Sequence, residues 1–221
     1  MLKFYHAPWS RSSVIFWLLE ELGATYEMTL VDIRSEKGAP EEYRKIQPNK
    51  KVPAVDHDGI IITERAAIAT YLGDVFPGKG LAPAIGDSDR AAYLSSLVYH
   101  DAVFDPVVCA KLHGLEYLSN NYPFGLFDDM VGYLERKFST QRWAAGDRFT
   151  IADVMLGGGM NFTMNTLKVL PERPIFNDYV SRCTDRPAFV QSAKRDMELA
   201  KQLPYFQSIF RNSALHQANE K

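Results

Sequence analysis

The feature that most constrains the fold of this chain is a change of pattern at residues 77–83, a segment rich in proline and glycine. Before this segment, short apolar strands alternate with helical patterns; after it, the apolar residues recur almost throughout at helical spacing. Proline and glycine interrupt helices and strands alike, so the segment is typical of a linker. The sequence therefore predicts an α+β domain over residues 1–78, a linker at 79–86 and an all-helical domain over 87–221.

The first domain is predicted to have the element order βαβαββα. Gly23 follows the first apolar helical stripe as a stop signal, and Asp58-Gly59 between two apolar runs predicts a hairpin turn. The first three elements form a βαβ unit, to which the hairpin adds an antiparallel edge. The strands are expected at 2–5, 26–32, 51–55 and 59–62, and the helices at 14–22, 40–45 and 64–76.

The second domain is predicted to consist of five helices. Pro106 is expected to bend the first of them, because proline cannot donate a helical hydrogen bond. Thr150 and Asp153 match a capping box, which predicts a helix start with a structural role and no catalytic one. The helices are expected at 87–119, 123–140, 150–168, 175–183 and 187–201.

Composition excludes several classes of protein. Hydrophobic residues make up 46% of the 221 residues, which is enough for a sizeable core and argues against disorder. Lys and Arg number 25 against 27 Asp and Glu, so the chain lacks the basic footprint of a nucleic-acid-binding protein. No apolar run approaches a membrane-spanning length, and the N-terminus lacks the layout of a secretory signal. We therefore expect neither nucleic acid nor membrane as a partner.

Cysteine and histidine usage narrows the chemistry. Cys109 and Cys183 are too few for a disulfide scaffold, which favours a reducing, cytoplasmic setting. The five histidines show neither the HExxH spacing nor a Cys/His cluster, so we expect no metal site. Since neither cysteine lies near residues 9–13, a protein thiol cannot serve as the nucleophile at the start of the first helix.

Three local signatures together resemble the cytosolic glutathione transferase superfamily. They are KVPAV at 51–55 followed by TERAAI at 63–68, SRSS at 10–13 running into WLLEELG at 17–23, and GDRFTIADV at 146–154. Their order covers about the whole chain, and the helix start resembles that of bacterial and fungal members. The resemblance implies a thioredoxin-like first domain that binds glutathione as co-substrate and a helical second domain that shapes the pocket for the other substrate.

The resemblance also implies how glutathione is held. It places a cis bond at Pro53 and pairs the backbone of Val52, next to Lys51, with the cysteinyl unit, as an added strand would. Glu64 would pair with the α-amino group of the ligand. The family pattern usually has Ser or Asn after this acid, whereas this chain has Arg65, which either grips a carboxylate of the ligand or points to solvent.

Thiol activation requires a donor to the sulfur, because a thiol with a pKa near 8.5 is only slightly ionised at neutral pH. There are four candidate hydroxyls, those of Ser10, Tyr5, Ser12 and Ser13. The local sequence Ser10-Arg11-Ser12 resembles that of the Ser-type group, so Ser10 is the first candidate for the activating hydroxyl. Serines at a helix start also cap backbone donors, so this simpler role is the alternative for Ser10 and Ser12.

The resemblance gives one leading hypothesis about function and leaves alternatives. The leading hypothesis is a glutathione transferase of detoxification that conjugates glutathione to small hydrophobic electrophiles. The alternatives are a glutathione-dependent peroxidase or disulfide reductase, and a non-catalytic binding protein on the same fold. The resemblance implies a homodimer.

One helix face of the second domain is expected to reach the second-substrate pocket. Its residues recur every four positions and are His100, Phe104, Val108 and Leu112. We expect some of them to line the pocket.

Overall fold

The computed structural model describes residues 1–209, and its first domain is built on a four-stranded mixed sheet. Strand order is β2-β1-β3-β4, with β1 parallel to β2 and antiparallel to β3, and β3 antiparallel to β4. This is the predicted βαβ unit with its added hairpin, and it confirms the thioredoxin-like expectation. The elements are β1 (Leu2–His6), α1 (Ser13–Leu22), β2 (Tyr26–Leu30), a 3₁₀ turn (Glu41–Lys45), β3 (Ala54–His57), β4 (Ile60–Thr63) and α2 (Arg65–Val75).

The two faces of the sheet bury different clusters. The main core joins Phe4 of β1 to the apolar stripe of α1 and to Ile68 and Leu72 of α2. On the opposite face, a smaller cluster gathers Tyr43 and Val52. Strand alternation explains the division, because successive side chains of β1 point to opposite faces.

The second domain is helical across the residues described. Beyond residue 90, the only pairing of the strand type within 1–209 is a single bridge between Trp143 and Gly146. No helix in this described range is long and apolar enough to cross a membrane. The helices are α3 (Arg90–Tyr99), α4 (Asp105–Leu112), α5 (Phe127–Thr140), α6 (Ile151–Asn161), α7 (Pro174–Thr184) and α8 (Pro187–Gln202). Residues 210–221 of the predicted second domain lie outside the described range.

The bend expected at Pro106 takes the form of a π-helical turn. Residues His100–Phe104 form this turn between α3 and α4, and Pro106 lies in the first turn of α4. Proline has no N–H to donate to the preceding turn, and a wider turn accommodates that loss without ending the helix. A second π turn, Phe162–Thr166, extends the C-terminal end of α6.

Three consecutive glycines allow α6 to lie at the centre of the molecule. A Cβ on Gly157 would be 2.6 Å from the sulfur of Cys183, and one on Gly158 would be 2.8 Å from Val14 of the first domain. A Cβ on Gly159 would be 2.5 Å from Nε2 of His100. Each contact is too close for a side chain. The glycines, each of which costs a helix about 1 kcal/mol relative to alanine, are therefore explained by packing.

Several predicted boundaries were wrong. The first helix of the second domain ends at Leu112 and not at 119, because Gly114 adopts a left-handed conformation (φ 63°) and closes the helix. The next helix begins at Phe127 and not at 123, just after Gly125, whose φ is 72°. Strand β3 begins at Ala54 rather than at 51, immediately after the Val52-Pro53 bond.

The predicted hairpin and capping box are confirmed. Asp58 and Gly59 both have positive φ, 54° and 87°, as a two-residue hairpin turn requires. Thr150 and Asp153 form the reciprocal capping box at the start of α6. The carboxylate of Asp153 also accepts hydrogen bonds from the Ala144 amide at 2.7 Å and the Tyr179 hydroxyl at 3.0 Å. It thereby joins three segments of the helical domain.

Candidate active site

A cavity of about 340 Å³ lies between the two domains. Its walls come from the start of α1, the π turn before α4, the C-terminal end of α6 and one face of α8. Ser10 and Arg65 reach it from the first domain. Its apolar lining includes Val14, Trp17, Phe104, Phe162, Leu167 and Phe189. The cavity therefore combines a polar edge from the first domain with an aromatic interior.

The side chain of Ser10 is half-buried at the polar edge of this cavity. Its Oγ lies 2.7 Å from the carbonyl oxygen of Ala7, to which it can donate, and accepts a hydrogen bond from the Ser12 amide at 3.1 Å. It also lies 2.8 Å from Oγ of Ser12. The Ser10 hydroxyl thus accepts from a backbone amide, as the capping alternative predicts, and the residue also borders the cavity.

Ser12 is wholly buried and makes no cap hydrogen bond with α1 through its side chain. Its Oγ lies 2.7 Å from Nδ1 of His6, and Nε2 of the same ring lies 2.9 Å from Oδ1 of Asp196 on α8. His6 and Asp196 are both buried, and the sequence analysis missed them. The alternation of β1 places His6 on the same face as Phe4, which was the available signal for His6.

Tyr5 lies on the other face of the sheet from His6. Its ring packs against Tyr43, with centroids 5.7 Å apart, beside the smaller cluster that contains Val52. It does not line the cavity that Ser10 borders. The structure therefore separates Tyr5 from the two serine candidates.

The loop before β3 has the geometry that the resemblance implied. The Val52-Pro53 bond is cis, which confirms that expectation. Within residues 1–209, the backbone amide and carbonyl of Val52 have no hydrogen-bond partner. Gln47, which is buried and which the sequence analysis missed, accepts from the Lys51 amide at 3.0 Å and donates to Glu64 at 3.3 Å. Gln47 therefore links the loop to the start of α2.

Glu64 and Arg65 have different surroundings. Glu64 is exposed, and its φ of 67° places it in a region that non-glycine residues rarely adopt. The Nη2 of Arg65 lies 2.7 Å from both Asp101 and Asp105 of the second domain. The alternative that Arg65 points to solvent is wrong, because only 11% of its side chain is exposed.

The carboxylates around Arg65 form a charged cluster across the domain boundary. Asp105 also receives a two-point contact from Arg11, at 2.6 and 2.9 Å, and Asp101 accepts a hydrogen bond from the Ala66 amide at 2.9 Å. Burial opposes ionisation of both aspartates. Nevertheless, hydrogen bonds and the charge of Arg65 hold the pKa of each below its ordinary value. The cluster is therefore ionised at neutral pH.

The predicted helix face is only partly at the cavity. His100 and Phe104 line it, and their rings stack with centroids 5.6 Å apart. Val108 is buried but does not border the cavity, and Leu112 is 45% exposed. The π turn interrupts the four-residue spacing on which the prediction rested. Burial lowers the pKa of His100, whose Nδ1 lies 2.9 Å from Asp101.

Within the described residues 1–209, no group of three or more His, Cys, Asp or Glu side chains could hold a metal ion. Cys109 and Cys183 are both free thiols. Cys183 is buried against α6, and burial raises its pKa. The polar groups that line the cavity include hydroxyl, imidazole, guanidinium, carboxylate and amide groups.

Comparison with known proteins agrees with this architecture. Two family models match the chain, "Glutathione S-transferase, N-terminal domain" over residues 1–74 and "Glutathione S-transferase, C-terminal domain" over 127–187. Glutathione S-transferase 3 of Schizosaccharomyces pombe is 28% identical over 69% of this chain and 70% of its own length. Disulfide-bond oxidoreductase YfcG of Escherichia coli is 25% identical over 87% of this chain and 94% of its own.

Solved structures extend the likeness to three dimensions. A sphingomonad glutathione S-transferase complexed with glutathione is 26% identical to this chain and superposes with a TM-score of 0.69. The match covers 88% of this chain and 98% of that structure. The similarity therefore extends over both domains.

Proposed function

The chain belongs to the glutathione S-transferase family and is a glutathione transferase, and we propose that the hydroxyl of Ser10 activates the glutathione thiol in it. The observation that carries the proposal is the position of Ser10 at the polar edge of the cavity. Ser12 is wholly buried, and Tyr5 lies on the other face of the sheet. Of the four candidate hydroxyls, those of Ser10 and Ser13 belong to residues that border the cavity, and the hydroxyl of Ser13 already donates to Asp196 at 2.6 Å.

The required stabilisation is within reach of such a donor. Lowering a thiol pKa by two units corresponds to about 2.7 kcal/mol of preference for the thiolate. A hydrogen bond to a charged acceptor contributes about 1.5–3 kcal/mol. The start of α1 adds the positive end of a helix dipole near the same point. Ser10 and the helix together account for a mostly ionised sulfur.

Glutathione would be held by the groups around the loop before β3. The unpaired backbone of Val52, after Lys51 and before cis Pro53, would pair with the cysteinyl unit as an added strand does. The exposed carboxylate of Glu64 would accept from the α-amino group of the ligand. Arg65 already contacts two aspartates through Nη2, so its remaining N–H groups would meet a carboxylate of glutathione.

The second substrate would be a small hydrophobic electrophile. The cavity beyond Ser10 is lined largely by aromatic and aliphatic side chains, among them Trp17, Phe104 and Phe189. The thiolate would attack the electrophilic carbon there and form a thioether. In a substitution, the leaving group departs with the electron pair of its bond. In an addition, the electron pair of the attacked double bond moves onto the rest of the substrate. Such conjugation is the chemistry of detoxification, which we propose as the role of the enzyme.

Disulfide reduction is the second candidate reaction. It is favoured by the similarity to a relative named as a disulfide-bond oxidoreductase over 87% of this chain. Since neither cysteine of the chain lies in the first domain, glutathione itself would supply the thiol for reduction. Comparing turnover of a chloronitrobenzene with turnover of a mixed disulfide separates the two reactions.

Replacement of Ser10 tests the proposal directly. Ser10→Ala should lower kcat/KM for conjugation about 10–100-fold, the equivalent of about 1.5–3 kcal/mol. It should also raise the pKa of bound glutathione, as measured by ultraviolet absorbance of the thiolate. Tyr5→Phe should change neither quantity, because its hydroxyl lies across the sheet. An upward shift in Tyr5→Phe alone would assign the activation to Tyr5 instead.

We further propose a cytoplasmic homodimer. Ile60 and Ile61 of the edge strand β4 are exposed, as are Leu94 and Val98, which are four residues apart on α3. Both elements adjoin α2, so these apolar side chains offer a surface for a second copy. Sedimentation at micromolar concentration should give the mass of two chains. The two free thiols fit a reducing compartment.

A further inference from the structure

A buried chain of hydrogen bonds runs from the cavity to helix α8 of the second domain. It begins at Ser10 Oγ, passes to Ser12 Oγ at 2.8 Å, continues to His6 Nδ1 at 2.7 Å and ends with His6 Nε2 at 2.9 Å from Asp196. Ser12 and His6 are wholly buried, and Asp196 is 5% exposed. An ionisable ring therefore lies two hydroxyl groups away from the proposed sulfur site.

The partners of a neutral His6 direct the protons of this chain. With His6 neutral and Asp196 a carboxylate, Nε2 carries the ring proton, because the carboxylate that faces it can only accept. Nδ1 is then an acceptor, and the proton of Ser12 must point towards it. With the proton of Ser12 directed to His6, the proton of Ser10 has two acceptors, the Ala7 carbonyl oxygen at 2.7 Å and Ser12 Oγ at 2.8 Å, and the proton path uses the second.

In this arrangement a lone pair of Ser10 Oγ remains for an incoming proton. We infer that His6 is a positioning residue that takes up the thiol proton of glutathione through Ser10 and Ser12, with Asp196 as its counter-charge. The inference rests on the proposed role of Ser10. It adds a destination for the proton, which a lone hydroxyl donor does not provide.

Three protons move in this transfer. The S–H bond of glutathione breaks and its proton joins Ser10 Oγ, as the original Ser10 proton passes to Ser12. The original Ser12 proton passes to Nδ1 of His6. The products are a thiolate, two neutral hydroxyl groups and an imidazolium paired with Asp196. No proton enters the solvent, and Ser10 then donates its new proton to the charged sulfur.

The negative charge that would stabilise a protonated His6 comes from α8. The rings of Phe4 from β1 and Phe16 from α1 flank it at 5.2 and 5.3 Å and carry no charge. Asp196 is the charged group in contact with it. More distant are Arg195, which lies over the Phe16 ring and pairs with Glu20, and Arg34, which interacts with Asp196. Asp196 also accepts from the Ser13 hydroxyl at 2.6 Å, which fixes its orientation.

A proton count on the native enzyme tests the inference. Calorimetry in buffers of different ionisation enthalpy measures the protons released when glutathione binds near neutral pH, and absorbance measures the thiolate formed. S-methylglutathione has the same charges without the thiol proton, so the difference between the two ligands isolates the sulfur. The inference requires a thiolate with no additional proton released. One additional proton per thiolate would overturn it.

Variants separate proton uptake from structural support. His6→Asn keeps a polar group near Ser12 but cannot take a proton, so the thiolate that remains should form with one proton released. The ratio of thiolate to thiol near neutral pH should fall about tenfold, which is one pKa unit. Asp196→Asn should act in the same direction. His57→Asn is the matched control, because His57 Nδ1 also contacts a hydroxyl, that of Tyr71 at 2.9 Å, away from the cavity.

The outcomes distinguish the inference from the proposed function. Absence of thiolate in the native enzyme would overturn the proposed function, and the inference with it. Thiolate formation that depends on Ser10 but releases its proton to the buffer would leave the proposed function and overturn the inference. If His6→Asn does not fold, the proton count on the native enzyme and on Asp196→Asn still decides.

Discussion

Replacing Gly159 with alanine tests whether α6 needs its glycines for packing. By intrinsic propensity alone, alanine should stabilise a helix interior by about 1 kcal/mol. At this position, however, the added Cβ would lie 2.5 Å from Nε2 and 3.1 Å from Cδ2 of His100. It would also lie 3.2 Å from the ring of Phe104. One of these buried rings, or α6 itself, must therefore move.

The surrounding contacts determine the magnitude. His100 is buried, hydrogen-bonded to Asp101 at 2.9 Å and stacked on Phe104, so its displacement costs contacts on two sides. Overpacking typically costs about 1–3 kcal/mol, and a lost hydrogen bond to a charged group about 1.5–3 kcal/mol. After the gain in propensity, we expect Gly159→Ala to lower the free energy of unfolding by about 1.5–5 kcal/mol.

Gly132→Ala in α5 is the matched control. There the new Cβ would meet only the end of the flexible Arg136 side chain, at 3.2 Å. This variant should therefore gain up to about 1 kcal/mol. Denaturant titration of both variants, with m-values compared, gives the two changes. If Gly159→Ala stabilised the protein as Gly132→Ala does, the explanation of the glycine run by close packing would be refuted.

Two further substitutions test the interdomain charges and the capping box. Arg65→Met should cost about 1–3 kcal/mol near neutral pH, because it leaves two partly buried carboxylates short of a cation. Since both aspartates have lowered folded-state pKa values, their contribution exists above pH about 4 and is lost as the pH falls through those values. The deficit measured in denaturant should therefore shrink on acidification, whereas Arg148→Met, at an exposed pair, should change little at any pH. Asp153→Ala should cost about 3–5 kcal/mol in thermal or denaturant unfolding, because its carboxylate accepts from the Ala144 amide, the Thr150 amide and the Tyr179 hydroxyl. Asp129→Ala, an exposed first-turn acid of α5, should stay within about 1 kcal/mol, and equal losses in the two would contradict the reasoning.

Local sequence signals predicted most of the fold. The apolar stripe of α1 with Gly23 behind it, the Asp58-Gly59 turn and the Thr150 capping box each depend on residues within a few positions of one another. The elements they predicted are present. Apart from the start of β3, the errors reported lie at helix ends, where Gly114 and Gly125 with positive φ were available signals that the helical spacing on either side obscured.

Contacts between distant residues limited prediction of the site. The position of Ser10 at a helix start could be read from the sequence, but the partner of His6 is 190 residues away on α8. Similarly, Arg65 differs from the family pattern, and nothing near it in sequence indicated Asp101 and Asp105 as partners. Their approach depends on the packing of the two domains, which periodicity does not specify.

These distant contacts share one direction, from carboxylates of the helical domain to the polar edge of the first domain. Asp196 orients His6 and Ser13, Asp105 joins Arg11 to Arg65, and Asp101 accepts from the first turn of α2. Each aspartate therefore contacts a residue close to Ser10 or to Arg65 in the sequence, and Asp196 also contacts strand β1 through His6. Because a carboxylate fixes the donors around it, a shift of the helical domain would change the hydrogen bonds on which the proposed thiol activation depends. In this proposal, the second domain acts on the glutathione site through charge as well as through the shape of the pocket.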